Sequence, residues 1–233
     1  MKNIKMLLLP FSVLIAIIFL NSIDITPNYY DPNVYVEYSK NIFINADNVT
    51  VEFDSRSDKI FLSDKLEINQ NNDTLIINEK KNSSGENIKI IIGTMQKYNL
   101  ISINVSNLFL KGFLEVDQLN ITASNLSLNC EVKSDIFNLD VFKVDFIGTY
   151  QIKEIFINSF SILGDLNVIE TYNLRLNTFK IELNMRYLDS WKNTRDISLN
   201  SFGGKFVILT SEKNEGFLKI SSSGFSKIIE EKY

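Results

Sequence analysis

Histidine is absent from the 233-residue chain. That removes imidazole as a general acid or base and the commonest side-chain ligand of zinc, copper and non-haem iron. The single cysteine, Cys130, excludes an internal disulfide and a multi-cysteine zinc site. Three prolines and nine glycines are too few for collagen-like or linker-like material. Positive charge is not in excess either: 24 Lys and Arg stand against 28 Asp and Glu. Arg56, Arg175, Arg186 and Arg195 are the only arginines and are scattered, so the basic footprint of a nucleic-acid-binding surface is missing. No phosphate-cradling Gly loop, Ser–His pair or CxxC occurs, and no cofactor or metal is expected.

What remains is apolar and amide-rich. The chain is 45% hydrophobic and 12% aromatic, which excludes a disordered chain and suffices for one ordinary domain core or two small ones. Asparagine occurs 28 times. At that frequency the Asn-x-Ser/Thr sequons at Asn48, Asn72, Asn82, Asn104, Asn120 and Asn125 arise by chance.

Residues 1–22 have the layout of an address. Lys2 and Lys5 precede an uncharged apolar run from Met6 to Leu20, and polar Asn21 and Ser22 follow. The run is shorter than the ~20 residues that usually span a bilayer. It has no clear small-x-small cleavage site, so it reads as a signal peptide or a retained signal anchor. The positive-inside rule then places the two lysines in the cytoplasm and the remainder outside. Residues 23–40, with two of the prolines, read as a spacer.

Beyond the spacer, apolar and polar residues alternate with the period of strands that bury one face. Residues 41–98 read as N-terminal strands or a cap, with hairpin loops at Asn69–Asp73 and Lys80–Gly85. Residues 99–224 repeat. Starting from Ile101, Leu119, Phe137, Ile155 and Tyr172, separated by 18, 18, 18 and 17 residues, apolar or small residues recur at offsets 0, 2, 4, 7, 9, 11 and 13. The fifth set so read is Tyr172, Leu174, Leu176, Phe179, Ile181, Leu183 and Met185. An insertion over Arg186–Asp196 precedes a sixth set that starts at Ile197, and the tail 225–233 reads as a short helix or frayed end. Ile42, Ile44, Ala46, Val49, Val51 and Phe53 fit the first six offsets.

Two residues rather than one separate offsets 4 and 7, so the alternation slips there. A straight strand would turn its apolar set outward; a bend avoids this. A unit of about 18 residues with two strands and two corners cannot bury its apolar side alone, and stacked copies can, at ~4.8 Å per step. The expected fold is all-β, a β-solenoid of about 18-residue rungs with an N-terminal capping sheet, preceded by one N-terminal hydrophobic helix. An antiparallel sandwich also alternates, but its loops vary more in length.

The segments NIFINADNVTVEF, TLIINEK and IKIIIG, the alternating repeats, and the closing SFGGKFVILTSEKNEGFLKISSSG together resemble a bacterial "putative adhesin" family of short β-solenoids, over about Asn41 to Gly224. Asn, Lys and bulky apolar residues replace much of that family's Ser-Gly-Asp corners. The resemblance implies a cell-envelope location and an adhesive or scaffolding role, and it supplies no catalytic residues.

Cys130 falls at an inward offset and reads as a small buried hydrophobe, since no His is there to activate it. Phe142, Phe160 and Phe202 share offset 5 beside a corner and are the candidate binding residues; Phe109, Phe113 and Phe156 also face outward in this register. Cover of this stripe by the N-terminal sheet, or by the insertion carrying Tyr187, Leu188 and Trp191, is expected. The enzymatic rival is a carbohydrate-active β-helix using Asp145, Asp165 and Glu182, with Asp165 and Glu182 both at offset 10 and stacked. The preferred expectation is a non-enzymatic envelope protein, membrane-anchored through residues 1–22 or secreted, whose partner is an envelope protein or glycan. A structural or signalling-accessory envelope role is the third possibility.

Overall fold

A computed structural model describes residues 32–81 and 85–233; residues 1–22, expected to be a signal anchor or signal peptide with one hydrophobic helix, lie outside the described residues. No helix among the described residues is long and apolar enough to cross a membrane, which says nothing of a β-barrel. The chain is nearly all β, with the 3-10 turn Glu212–Asn214 as its one helical element among the described residues. The strands are β1 (Val34–Val36), β2 (Asn41–Asp54), β3 (Ile60–Leu62), β4 (Leu66–Asn71), β5 (Thr74–Glu79) and β6 (Asn87–Gly93). They continue with β7 (Tyr98–Ile169), β8 (Asn173–Tyr187), β9 (Arg195–Thr210), β10 (Leu218–Gly224) and β11 (Lys227–Lys232). They form one 11-stranded sheet whose path runs β1-β3-β6-β2-β7-β8-β9-β10 and is not closed.

The alternation of the sequence becomes parallel register. Ile42 pairs with Ile101 and Val49 with Leu108 between β2 and β7. Ile155 pairs with Leu174 and Ile162 with Ile181 between β7 and β8. Leu174 pairs with Ile197 and Ile181 with Gly204 between β8 and β9. Within the long β7, side chains one repeat apart are neighbours: Asn125 Nδ2 donates to Asn107 Oδ1 at 2.7 Å, and Lys133 pairs with Glu115 at 3.1 Å. Equivalent apolar residues thus fall into files, and the buried files Ile101–Leu119–Phe137 and Leu108–Leu126–Val144 belong to one continuous core.

The N-terminal strands flank β2 on the side away from β7. β5 and β6 both run parallel to β2, against Asn41–Asn45 and Asn48–Asp54 respectively. β5 and β6 thus pair with successive parts of β2 and do not form a hairpin with each other, whereas Asn72–Asp73 is the two-residue hairpin turn between β4 and β5, with Asn72 at positive φ. β1, β3 and β4 add antiparallel edges.

Three further sequence expectations change. The fifth repeat begins at Leu174, not Tyr172, because Leu174 is the register partner of Ile155. An extra residue at the bend after β7, where Glu170 takes φ 58°, lengthens that step by one. The buried members are Leu174, Leu176, Thr178, Ile181, Leu183, Met185 and Tyr187, while Phe179 is exposed. The insertion is correspondingly shorter, 188–194 between β8 and β9. It is stapled to the connection after β9: Trp191 N donates to Asn214 Oδ1 at 2.9 Å, and Asn214 Nδ2 donates to Asp189 O at 2.9 Å. Last, the tail is neither helix nor frayed end but β11, parallel to β9. Its Glu230 and Lys232 sit opposite buried Ile208 and Thr210 and form an ion pair at 2.9 Å.

Candidate functional site

The site is the corner where the alternation slips. Parallel pairing skips one residue there: it passes from Ser159–Thr178 to Ser161–Lys180, and from Thr178–Ser201 to Lys180–Gly203. The skipped residues are Phe160, Phe179 and Phe202. Small hydroxyl residues just inside build the turn. Thr178 Oγ1 donates to Lys180 O at 3.0 Å and Ser201 Oγ to Gly203 O at 3.3 Å, each bond spanning the residue that the pairing skips. A residue skipped by the ladder at a convex turn has its side chain outside.

Phe142, Phe160, Phe179 and Phe202 stack in one file. Successive ring centroids are 4.8, 4.9 and 4.9 Å apart, with interplanar angles of 5°, 9° and 8°. Phe225 closes the file edge-on against Phe202, at 5.7 Å and 76°. The spacing is the strand separation itself, so the backbone ladder sets the ring stack. At the other end the file turns polar: Ser106 Oγ reaches Asp47 Oδ1 at 3.4 Å in the equivalent positions. The five rings stay 60%, 46%, 48%, 60% and 81% exposed in chain order. The expected intramolecular cover is therefore not provided by the insertion: Tyr187 and Trp191 are buried against each other at 4.7 Å, and Leu188 is exposed.

Amide files run beside the rings. Asn177 Nδ2 donates to Asn158 Oδ1 at 2.9 Å on one flank, and Asn200 continues that file. On the other flank the file begins with Asn48, Asn107 and Asn125, joined at 2.6 and 2.7 Å, and continues as Lys143, Ser161 and Lys180.

The structure brings the candidate binding residues Phe142, Phe160 and Phe202 into one file and adds Phe179 and Phe225. Of the other outward aromatics, Phe113 is exposed, while Phe109 and Phe156 are half-buried, the latter beneath Arg175. A signal for the missed pair is present in the sequence: Phe followed by Lys, Ser or Gly recurs at 142, 160, 179, 202 and 225.

The carboxylates of the enzymatic reading do not stack as expected. The corrected register pairs Asp165 with Asn184, whose Nδ2 donates to Asp165 Oδ1 at 2.9 Å, and pairs Glu182 with Leu163. Asp145 lines a separate surface depression of about 410 Å3 with Asn107 and Lys143. No group of three or more His, Cys, Asp or Glu able to hold a metal occurs among the described residues. Cys130 is buried, and burial pushes its thiol up to about 12, so it stays protonated; the Tyr150 hydroxyl lies 3.9 Å away.

No family model matches this sequence, and no curated protein does. Among solved structures, a "putative adhesin" from Parabacteroides distasonis is similar at 14% identity and TM-score 0.37, covering 87% of this chain and 96% of that one. A "putative adhesin" from Bacteroides fragilis has 14% identity and TM-score 0.34, covering 88% and 96%. A "putative lipid binding protein" from Parabacteroides distasonis has 15% identity and TM-score 0.36, covering 88% and 100%. Likeness at this level carries nothing about what the present chain binds.

Proposed function

We propose that the chain is a non-catalytic, adhesin-like interaction module of the cell envelope, built as a β-solenoid and carried by residues 1–22 as a signal anchor or exported after their removal. The solenoid reading is supported by parallel registers that repeat through β2, β7, β8 and β9 and by neighbours one repeat apart inside β7. The binding reading rests on one observation: five phenylalanines in file remain exposed along one corner. A monomer that keeps such a stripe outside its core uses it for contact. The rival carbohydrate-active reading loses its constellation, since Asp165 and Glu182 stand in different files.

The test is capture by the full chain of envelope proteins and cell-wall glycans, for wild type and for a Phe142→Ser/Phe160→Ser/Phe179→Ser/Phe202→Ser variant shown by circular dichroism to be folded. Loss of capture in the variant is expected. Equal capture by both proteins overturns the assignment of the corner as the binding surface.

A further inference from the structure

We infer that the phenylalanine corner docks on an anionic lipid bilayer, with the ring edges in the interfacial zone and the file lying along the surface; this rests on the interaction-module reading and names its partner. The geometry first selects against sugars. The inner rings Phe160 and Phe179, stacked within 5–9° of parallel on both sides, spend both faces on their neighbours and offer a partner only edges; open faces are confined to the two ends of the file, at Phe142 and Phe225. Sugars are held by aromatic faces, whereas hydrocarbon accepts edges and faces alike. The file crosses the successive steps of the ladder along a convex turn, so it stands out from the body as a ridge.

Charge selects next. Lys143 and Lys180 each follow a ladder phenylalanine, and Lys227 stands two residues beyond Phe225. All three are exposed, and none has a carboxylate within ion-pair distance among the described residues, unlike Lys89, Lys111, Lys133 and Lys153 elsewhere on the surface. Asp140, exposed on the other flank, is the one acid within two residues of a ladder ring. A chain with net charge −4 thus lines its apolar ridge with unpaired cations. Apolar rings flanked by lysines are the pattern by which surface elements enter an anionic interface. A second copy fits less well. Ridge against ridge would oppose like charges, and five partly exposed rings offer less than the ~800 Å2 per partner of a stable interface.

The test uses the full chain reconstituted in two kinds of vesicle, phosphatidylcholine alone and phosphatidylcholine mixed with phosphatidylglycerol. The chain carries Phe160→Trp as reporter, with wild-type Trp191 as the buried background. With phosphatidylglycerol, the added emission is expected to shift to the blue and to be quenched by lipids brominated on the upper acyl chain. A Lys143→Glu/Lys180→Glu background is expected to abolish both effects while melting at the same temperature. Reporter emission that stays open to aqueous iodide and blind to bromolipid overturns the inference. So does a reporter shielded equally without any lipid because the chain has dimerised, read by sedimentation in detergent. If bilayer docking fails while the serine variant still loses protein or glycan capture, the interaction-module reading stands and only the lipid assignment falls.

Discussion

Phe160 and Phe179, on consecutive strands β7 and β8, lie ring on ring, with centroids 4.9 Å apart and planes within 9°. Each has a further ring on its outer side, Phe142 and Phe202 respectively, whereas Phe142 has one ring neighbour. Aromatic pairs contribute ~0.5–1.5 kcal/mol beyond area burial. With two such pairs lost, Phe179→Ala is expected to cost ~1–3 kcal/mol and Phe142→Ala about half as much, read from urea unfolding. A Phe160/Phe179 double-mutant cycle should return a coupling of the same order as one pair. Equal losses for the inner and the terminal ring would contradict stacking in solution.

Glu52 reports on strand order. Its carboxylate lies 3.0 Å from Lys89 on β6 and 3.0 Å from Lys111 on β7, so one side chain bridges the strands on both sides of β2. The hydrogen bond from Lys111 is the main cause that holds its carboxyl below the ordinary range, with Lys89 adding to it against the desolvation of partial burial. A depressed carboxyl contributes stability that is complete above the unfolded-chain value near pH ~4.3 and is lost as pH falls through the folded value. Glu52→Gln should thus flatten the fall of melting temperature below pH ~4.3, with a neutral-pH loss within ~1 kcal/mol because the pair is partly solvated. An unchanged acid limb would place the lysines elsewhere.

Gly204 sits at φ 116°, and an added Cβ would collide with the carbonyl oxygen of Ile181, its register partner one step back. Backbone cannot yield cheaply there, and the conformation itself disfavours an L side chain. Gly204→Ala should cost ~2–4 kcal/mol by equilibrium unfolding. The neighbouring Gly203, whose Cβ would meet open space, serves as the control with little change on Gly203→Ala.

Buried Arg195 pairs with half-buried Asp189 at 2.9 Å, with the guanidinium 3.9 Å over the Tyr172 ring. Asp189→Ala leaves a buried cation with no anion and should destabilise by ~3–5 kcal/mol. Because Asp189 and Trp191 also hold Asn214, proteolysis within 188–194 and 211–217 should rise together in this variant. Cleavage confined to one of the two loops would show that they are not mechanically joined.

Cys130, its thiol held protonated by burial, should resist an aromatic disulfide reagent at pH 8 while the chain is folded and react stoichiometrically in denaturant. Rapid reaction of the folded chain would overturn the inward placement.

Much of this architecture was legible from period alone. Offsets 0, 2, 4, 7, 9, 11 and 13 identify buried files because inward residues must recur wherever the backbone does, and Ile101 through Tyr150 follow them without error except for the exposed Gly112 and half-buried Gly148. The reading drifted at Tyr172 because the bend at Glu170 adds a residue that composition does not announce. An unbroken period would turn Phe179 inward and stack Asp165 on Glu182, so the one extra residue at this corner conceals the continuous ring file and suggests a carboxylate pair. The abundance of asparagine carried no message in the linear sequence; its amides are joined across strands, as at Asn48, Asn107 and Asn125. The tail escaped because FSKIIEEK alternates too weakly to declare a strand, and only its pairing with Lys205–Thr210 fixes it.

Glu230 and Lys232, opposite the buried Ile208 and Thr210, also guard the open side of β11. Any parallel strand added beyond β11 would have to entomb both charges on its core side. Edge-to-edge pairing through the outer side of β11 is thus opposed by two charged side chains.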